Sequence, residues 1–182
     1  DRGPFYGMKI VDSQDQTGRV TSLDLIDCFR IGISYEHTTD SALRFAYSDD
    51  GGSTFALSTL DNTATVAQST ELAMQDDNVY IAYRDTTNSA LKIARSTDRG
   101  QSFSLSSLDS PAGLAPAMTV DGNNVFIASS SDELRLARSF DSGQSFLHTT
   151  IDPNGREPSL LLTGNTIHLA FYDFVDSSLR FG

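Results

Sequence analysis

The chain contains 182 residues, of which 38% are hydrophobic, and carries a formal net charge of −11. The length predicts one domain with a substantial core. The acidic balance argues against nucleic acid or an anionic membrane surface as a partner, because the required surplus of lysine and arginine is absent. Cys28 is the single cysteine, so no internal disulfide can form, and no run of about 18 apolar residues predicts membrane insertion.

Four copies of one strand-rich unit follow each other along the chain. Alternating apolar residues and β-branched side chains are typical of strands. They predict a first strand at residues 21–25, 70–74, 116–120 and 158–162. They predict a second strand at residues 31–35, 79–83, 125–129 and 167–171. A third strand carries a Leu-Arg or Leu-Lys pair at 43–44, 91–92, 134–135 and 179–180, and a fourth strand ends at Asp61, Asp109 and Asp152.

An eight-residue motif, Ser-x-Asp-x-Gly-x-Ser/Thr-Phe, separates the third and fourth strands. Glycine tolerates a positive φ, aspartate accepts hydrogen bonds from turn amides, and the phenylalanine packs on the sheet. The motif therefore predicts a self-capping hairpin turn and does not require catalysis. Its key residues are Ser48, Asp50, Gly52 and Phe55, then Ser96, Asp98, Gly100 and Phe103, then Ser139, Asp141, Gly143 and Phe146.

The fourth unit lacks this motif, and residues 1–6 align with residues 50–55 instead. Asp1 and Gly3 then take the places of Asp50 and Gly52, and Asp12 takes the place of Asp61. This predicts an all-β fold, a four-bladed β-propeller whose last blade is completed by the N-terminal strand. The expected blades are residues 18–61, 66–109, 113–152, and 155–182 plus 1–12. Two alternatives stay open: a piece of a larger propeller, or two chains forming an eight-bladed ring.

The three motifs resemble the Asp box, or BNR repeat, of sialidases and related β-propellers. That box usually ends in Trp, whereas this chain has Phe and no Trp at all. The resemblance implies that the ligand site lies on the face opposite the boxes, where the loops between blades and between second and third strands meet. The family includes hydrolases, lectin-like binders, sorting receptors and assembly factors, so the resemblance does not select one activity.

Two connections between blades share a Gly-Arg phrase, at Arg19 and at Arg156. Because blades four and one are neighbours in a closed ring, we expect the two guanidinium groups to lie side by side near the axis and to bind a carboxylate. The alternative is that each arginine caps a neighbouring carbonyl or pairs with Glu71 or Glu157.

The loops that follow the second strands supply the other candidate ligand-binding residues. Polar and aromatic side chains there suit sugar hydroxyls and ring stacking, while ordinary turn capping is the competing interpretation. Glu71 is expected near the axis on the same face. The candidates are Glu36, Arg84, Asp85, Tyr172, Asp173 and Glu71, together with Arg19 and Arg156.

A sialidase catalytic set cannot be assigned, since no arginine triad and no Tyr–Glu pair is identified. His37, His148 and His168 lack metal-ligand spacing, and no cofactor fingerprint is present, so no metal or cofactor is expected. The leading hypothesis is a non-catalytic, lectin-like module that recognises a glycan or an acidic small ligand. A sialidase-like glycoside hydrolase is the alternative, and a protein-interaction scaffold is the third. We expect an extracellular or periplasmic protein that is monomeric or homodimeric.

Overall fold

The computed structural model describes residues 7–63, 66–109 and 114–182, and its regular structure there is entirely β. No helix occurs among these residues, so none can cross a membrane as an apolar helix. The strands are β1 (Thr17–Leu25), β2 (Ile31–His37), β3 (Ala42–Ser48), β4 (Ala56–Asp61), β5 (Val66–Gln75), β6 (Asn78–Asp85), β7 (Ala90–Ser96), β8 (Ser104–Asp109), β9 (Leu114–Asp121), β10 (Asn124–Ser130), β11 (Leu134–Ser139), β12 (Leu147–Asp152), β13 (Gly155–Thr163), β14 (Thr166–Asp173) and β15 (Ser178–Phe181).

The strands form four antiparallel sheets in which sequence neighbours are also neighbours in space. Blade one is β1–β4, blade two is β5–β8, blade three is β9–β12, and blade four is the three-stranded sheet β13–β15. The second strand of each blade is central, and β6 is buried along almost its whole length, because other blades cover the sheet on both sides. The predicted all-β fold with four successive blades, consistent with a β-propeller, is confirmed.

Blades stack through their first strands, with β1 against β5, β5 against β9, and β9 against β13. At each junction, apolar side chains from the third strand of one blade enter the sheet of the next. Between blades one and two, Leu43 and Phe45 pack against Leu72 and Met74. Burial of one such side chain contributes about 1.5–3 kcal/mol, so stacking is the main source of stability for each sheet.

The four blades form an arc within the described residues. No contact comparable to those three junctions joins β13 to β1 there. The predicted turn at Asp1 and Gly3 lies outside the described residues. Residues 7–16 form no strand, so the described part of the predicted completing segment is not paired with β15. The outer edge of blade four is therefore open in this part of the chain.

A buried tyrosine and a cation join each of the first two blades to the aspartate at the end of the preceding segment. In blade two, Tyr83 Oη donates to Asp61 Oδ2 at 2.8 Å, and Lys92 Nζ lies 2.9 Å from the same oxygen. In blade one, Tyr35 Oη and Arg44 Nη1 donate hydrogen bonds to Asp12 Oδ2 at 2.8 and 3.0 Å. Asp12 thus has the role of Asp61, as the alignment predicts.

The three turn motifs make the hydrogen bonds expected of self-capping turns. In the second turn, Ser96 Oγ donates to Asp98 Oδ1 at 2.6 Å, and the Ser102 backbone amide donates to the same oxygen at 2.9 Å. Hydrogen bonds from the Ser102 hydroxyl, Ser96 and the Ser102 amide lower the pKa of Asp98 to about 2. Gly100 has a φ of 80°, and a Cβ there would lie 2.5 Å from the Phe45 ring of blade one.

We predict that Asp61→Asn lowers the free energy of unfolding by about 2 kcal/mol, because Lys92 loses one of its two counter-charges and Tyr83 loses a charged acceptor, while Asp85 still pairs with Lys92. Burial raises the pKa of Asp61, but hydrogen bonds from Thr63, Lys92 and Tyr83 outweigh that effect and lower it to about 2. A carboxylate with a lowered pKa stabilises the fold above its unfolded pKa of about 4, and this stabilisation is lost as the pH falls towards 2.

Urea unfolding at pH 7 measures the effect. Asp77→Asn is the matched control, because Asp77 forms an exposed ion pair with Arg99, whose loss should change stability far less. Equal losses for the two variants would contradict the assigned role of Asp61.

Candidate functional site

One rim of the arc, which we call the loop rim, carries the ends of the second strands and the loops that follow them. Thr17 pairs with His37, and Gly155 pairs with Asp173, so blades one and four present corresponding positions at this rim. The turn motifs lie at the opposite ends of the sheets, because Ser48 pairs with Ile31 at the start of β2. The loop rim therefore holds most of the sequence-predicted ligand residues.

The structure places Arg19 and Arg156 in different local settings. Arg19 lies in an irregularity of β1 between Thr17 and Thr21, whereas Arg156 pairs in register with Tyr172. β1 and β13, the strands that carry the two arginines, share no extensive contact in the described part of the chain. The side-by-side pair therefore stays a prediction.

Glu36 and Arg84 occupy equivalent positions in neighbouring blades, where they pair with Leu43 and Leu91. Glu36 is 4% exposed, and its Oε2 has no hydrogen-bond partner among the described residues. Burial raises the pKa of the Glu36 carboxyl, and the charge of Arg19 offsets part of that shift. The Nε of Arg84 is likewise buried without a partner there. Two buried polar atoms at this rim thus lack a hydrogen-bond partner among the described residues.

Arg156, Phe174 and Tyr172 form a group on blade four. The Arg156 guanidinium carbon lies 4.7 Å from the centre of the Phe174 ring. Its Nη1 donates to the carbonyl of Gly155 at 2.8 Å, and its Nη2 donates to the carbonyl of Asp132 in blade three at 3.1 Å. The capping alternative for this arginine therefore applies. A guanidinium has five N–H groups, so donors remain for a ligand.

Asp85 and Asp173 are buried and serve the turns in which they lie. Asp85 accepts hydrogen bonds from the backbone and side-chain amides of Asn88, at 2.9 and 2.8 Å, and contacts Lys92 at 3.1 Å. Asp173 accepts hydrogen bonds from the backbone amides of Val175 and Asp176 and forms an ion pair with Arg180 at 2.8 Å. The turn-capping interpretation accounts for both contact sets.

Glu71 lies on the first-strand surface that faces the interior of the arc. It lines a cavity of about 340 Å³ formed by β1, β5 and β9, together with Asp24 and Thr119. Burial raises the pKa of Glu71, a hydrogen bond from Ser22 lowers it, and the charge of Asp24 raises it. Glu71 is thus separated from the loop-rim group, although both were expected near one axis.

Sequence analysis did not predict the hydrogen bonds of Tyr35 to Asp12 and of Tyr83 to Asp61. The two tyrosines could have been found, since they end the predicted second strand in successive units. Burial and the neighbouring aspartate raise the pKa of both phenols. A raised pKa opposes the formation of a phenolate nucleophile, so these tyrosines fit a structural role. Within the described ranges, no group of three His, Cys, Asp or Glu side chains could hold a metal ion.

No family model matches the chain, and no curated protein matches it. Several solved structures do. A phage phi92 endosialidase superposes with a TM-score of 0.63 at 15% identity, over 83% of this chain and 30% of that chain. YCF48 bound to D1 peptide superposes with a TM-score of 0.66 at 16% identity, over 93% of this chain and 53% of that chain. SapL1 lectin in complex with alpha methyl fucoside superposes with a TM-score of 0.58 at 10% identity, over 88% of this chain and 59% of that chain.

At these identities the likeness establishes the fold alone, a β-propeller. The chain spans 30%, 53% and 59% of the three matched chains, which is less than two thirds of each. The neighbours include an endosialidase and a lectin, so the fold is shared by proteins that differ in what they do to glycans.

We predict that Glu36→Gln raises the free energy of unfolding at pH 7. The pKa of Glu36 is raised on folding, so the ionised carboxyl destabilises the fold as the pH rises through that pKa. The gain should therefore shrink below pH 4, where the carboxyl is protonated in both states. Urea titrations at pH 4 and 7 provide the measurement, with the exposed Glu157→Gln as control. A variant that is less stable at pH 7 would show that Glu36 has a partner.

Proposed function

We propose that the loop rim is a lectin-like, non-catalytic binding surface for a glycan or an acidic small ligand. Its central element is the blade-four group of Arg156, Tyr172 and Phe174. The likeness to SapL1 lectin in complex with alpha methyl fucoside, and to a phage endosialidase, supports a saccharide as the ligand class. We also assign the three turn motifs to the Asp-box type, as structural turns on the opposite rim.

The observation that carries this proposal is the fixed position of Arg156 over an exposed aromatic ring. Two backbone carbonyls and the Phe174 face hold the guanidinium, so little side-chain freedom remains to be lost on binding. Its free N–H groups suit a carboxylate, which a guanidinium binds in bidentate fashion. Tyr172 and Phe174 remain partly exposed beside it and offer apolar faces to a sugar ring.

Glu36 and Arg84 extend the surface along the rim. A sugar hydroxyl both donates and accepts, so it can complement a carboxylate oxygen or a guanidinium N–H that has no partner in the described structure. Buried polar atoms without partners lower stability, and ligands commonly satisfy such atoms at binding sites. An extracellular or periplasmic location is part of this proposal, because it would expose the rim to glycans.

We predict that Arg156→Ala weakens the binding of sialic or uronic acids about tenfold to a hundredfold, through loss of a charge-assisted contact. Phe174→Ala should weaken the binding of acidic and neutral sugars alike, because it removes the stacking face. Isothermal calorimetry with N-acetylneuraminic acid, glucuronic acid and methyl fucoside would measure both effects.

Arg99→Ala is the matched control, because Arg99 is an exposed arginine on the opposite rim, paired with Asp77. It should leave all affinities unchanged. Absence of binding to any sugar on a glycan array, or equal affinities of the wild type, Arg156→Ala and Phe174→Ala, would refute the proposal.

A glycoside hydrolase of sialidase-like type is the second candidate, and the Glu71 cavity favours it. A carboxyl with a raised pKa beside a second carboxylate is the arrangement of a general acid and its partner. Turnover of a fluorogenic sialoside that Glu71→Gln abolishes would establish hydrolysis at this cavity. Turnover that persists in that variant would exclude Glu71 as the acid.

A further inference from the structure

The junction between blades one and two differs from the next junction on the rim that carries the turn motifs, which we call the turn rim. Blade one joins its first two strands by five residues, 26–30, whereas residues 76–77 and 122–123 make the same connection in blades two and three. Tyr47 stands where the next blade has Arg95. A loop and a side chain beside it thus depart from the repeat at one place.

Arg95 fills the corresponding place at the junction between blades two and three. Its Nε donates a hydrogen bond to the carbonyl of Ser142, in the turn motif of blade three. A Cβ built on Gly143 would lie 3.5 Å from Arg95 Cδ, so the arginine stem runs along that turn. At the first junction the counterpart of Ser142 is Arg99, which pairs with Asp77 of its own blade at 2.7 Å.

A cleft of about 380 Å³ lies at this place between blades one and two. Its lining combines two aromatic rings with two arginines and two aspartates. Phe29 is 60% exposed, and the Tyr47 ring stacks on Phe45 with 6.4 Å between the ring centres. The lining residues used in the argument are Asp27, Phe29, Arg30, Tyr47, Asp49 and Arg99.

Hydrogen bonds fix the 26–30 loop, which forms one wall of the cleft. Asp27 Oδ1 accepts from the backbone amides of Phe29 and Arg30, both at 2.8 Å, and Asp27 Oδ2 accepts from Arg30 Nε at 2.9 Å. The amide of Gly51 donates to the Phe29 carbonyl at 3.0 Å, which ties the loop to the turn motif of blade one. Because this wall is already ordered, a ligand loses little free energy in ordering it.

The two arginines of the cleft have acidic partners, whereas Asp49 has no basic one. Arg30 pairs with Asp27 at 2.9 Å, and Arg99 pairs with Asp77 at 2.7 Å. Asp49 is exposed and forms no ion pair within the described ranges. One negative charge is therefore uncompensated in the cleft.

An aromatic cleft with one unpaired carboxylate suits a cationic side chain. Burial raises the pKa of the Tyr47 phenol, the charge of Arg30 lowers it, and the charge of Asp49 raises it, so this carboxylate lies near the ring. A lysine or arginine side chain can pair with a carboxylate and lie against an aromatic face at the same time. The net charge of −11 also attracts a basic partner to the protein surface.

The cleft continues into an apolar hollow of about 280 Å³, with Tyr47, Arg99 and Gln101 lining both. Ala56 and Leu57 of β4 also line the hollow, and Leu57 is 43% exposed. An extended peptide directs alternate side chains to one side, about 7 Å apart. A basic and an apolar side chain of one peptide can therefore enter the cleft and the hollow together.

We propose that this junction binds an extended basic peptide, whose lysine or arginine side chain enters the cleft against Phe29 and Tyr47 and pairs with Asp49. An apolar side chain of the same peptide packs in the hollow beside Leu57. The turn motifs and the loop rim lie at opposite ends of the sheets, so this site is separate from the proposed glycan surface and does not depend on it.

Phage display of random heptapeptides on the folded protein tests the proposal, with counter-selection on the Tyr47→Arg variant. This variant restores the arginine of the next blade, which lies along the neighbouring turn as Arg95 does. Selected peptides should carry lysine or arginine with an apolar residue two or four positions away. Enrichment of acidic peptides, or selection of the same peptides by the wild type and Tyr47→Arg, would overturn the proposal.

Fluorescence anisotropy with a labelled selected peptide measures the contribution of each side chain. Asp49→Asn and Phe29→Ala should each raise the dissociation constant at least about fivefold, because the ion pair or the aromatic face is lost. Both residues are exposed, so the circular dichroism spectrum should not change.

Asp15→Asn is the matched control, because Asp15 is an exposed aspartate between Gln14 and Gln16, whose carbonyls contact His37 and Thr38 at the loop rim. It removes the same charge far from the cleft and should leave the dissociation constant unchanged. Equal weakening by Asp15→Asn and Asp49→Asn would show that overall charge alone attracts the peptide. That result, or an unchanged affinity of both Asp49→Asn and Phe29→Ala, would overturn the site.

Discussion

Burial of both faces of each sheet is the constraint on which the rest of the structure depends. A blade of three or four strands has apolar side chains on two sides, so it is stable only when another blade covers each side. Leu43 and Phe45 of blade one meet this requirement by entering the sheet of blade two, and the pattern repeats at the next two junctions. Leu23 and Leu179 show the same requirement where no further blade is present.

The polar contacts between blades follow the apolar ones. The Tyr83–Asp61–Lys92 set lies at the edge of a packed junction, where low exposure strengthens each hydrogen bond. Its repetition by Tyr35, Asp12 and Arg44 shows that the N-terminal segment is bound to blade one as the end of an outer strand is bound. The loop rim can then tolerate buried polar atoms without hydrogen-bond partners, such as Glu36 Oε2, because the junctions between blades stabilise the fold.

The repeat made most of the fold predictable from sequence. Strand periodicity located the four units, and the Ser-x-Asp-x-Gly-x-Ser/Thr-Phe turns fixed where the third strand of a blade ends. The turn bonds of Asp98 follow from local chemistry, so they were predictable as well. Contacts between distant residues were harder to predict, because the stacking of Arg156 on Phe174 depends on the conformation of the loop that carries Phe174.

The burial of first-strand leucines between blades decides how far each sheet depends on its neighbour. The most direct measurement compares the urea unfolding of Leu72→Ala with that of Leu23→Ala, because Leu72 is 5% exposed and Leu23, at the same position of blade one, is 59% exposed. A loss of about 2–5 kcal/mol for Leu72→Ala and a clearly smaller loss for Leu23→Ala are the predicted results. Equal losses for the two variants would contradict the account.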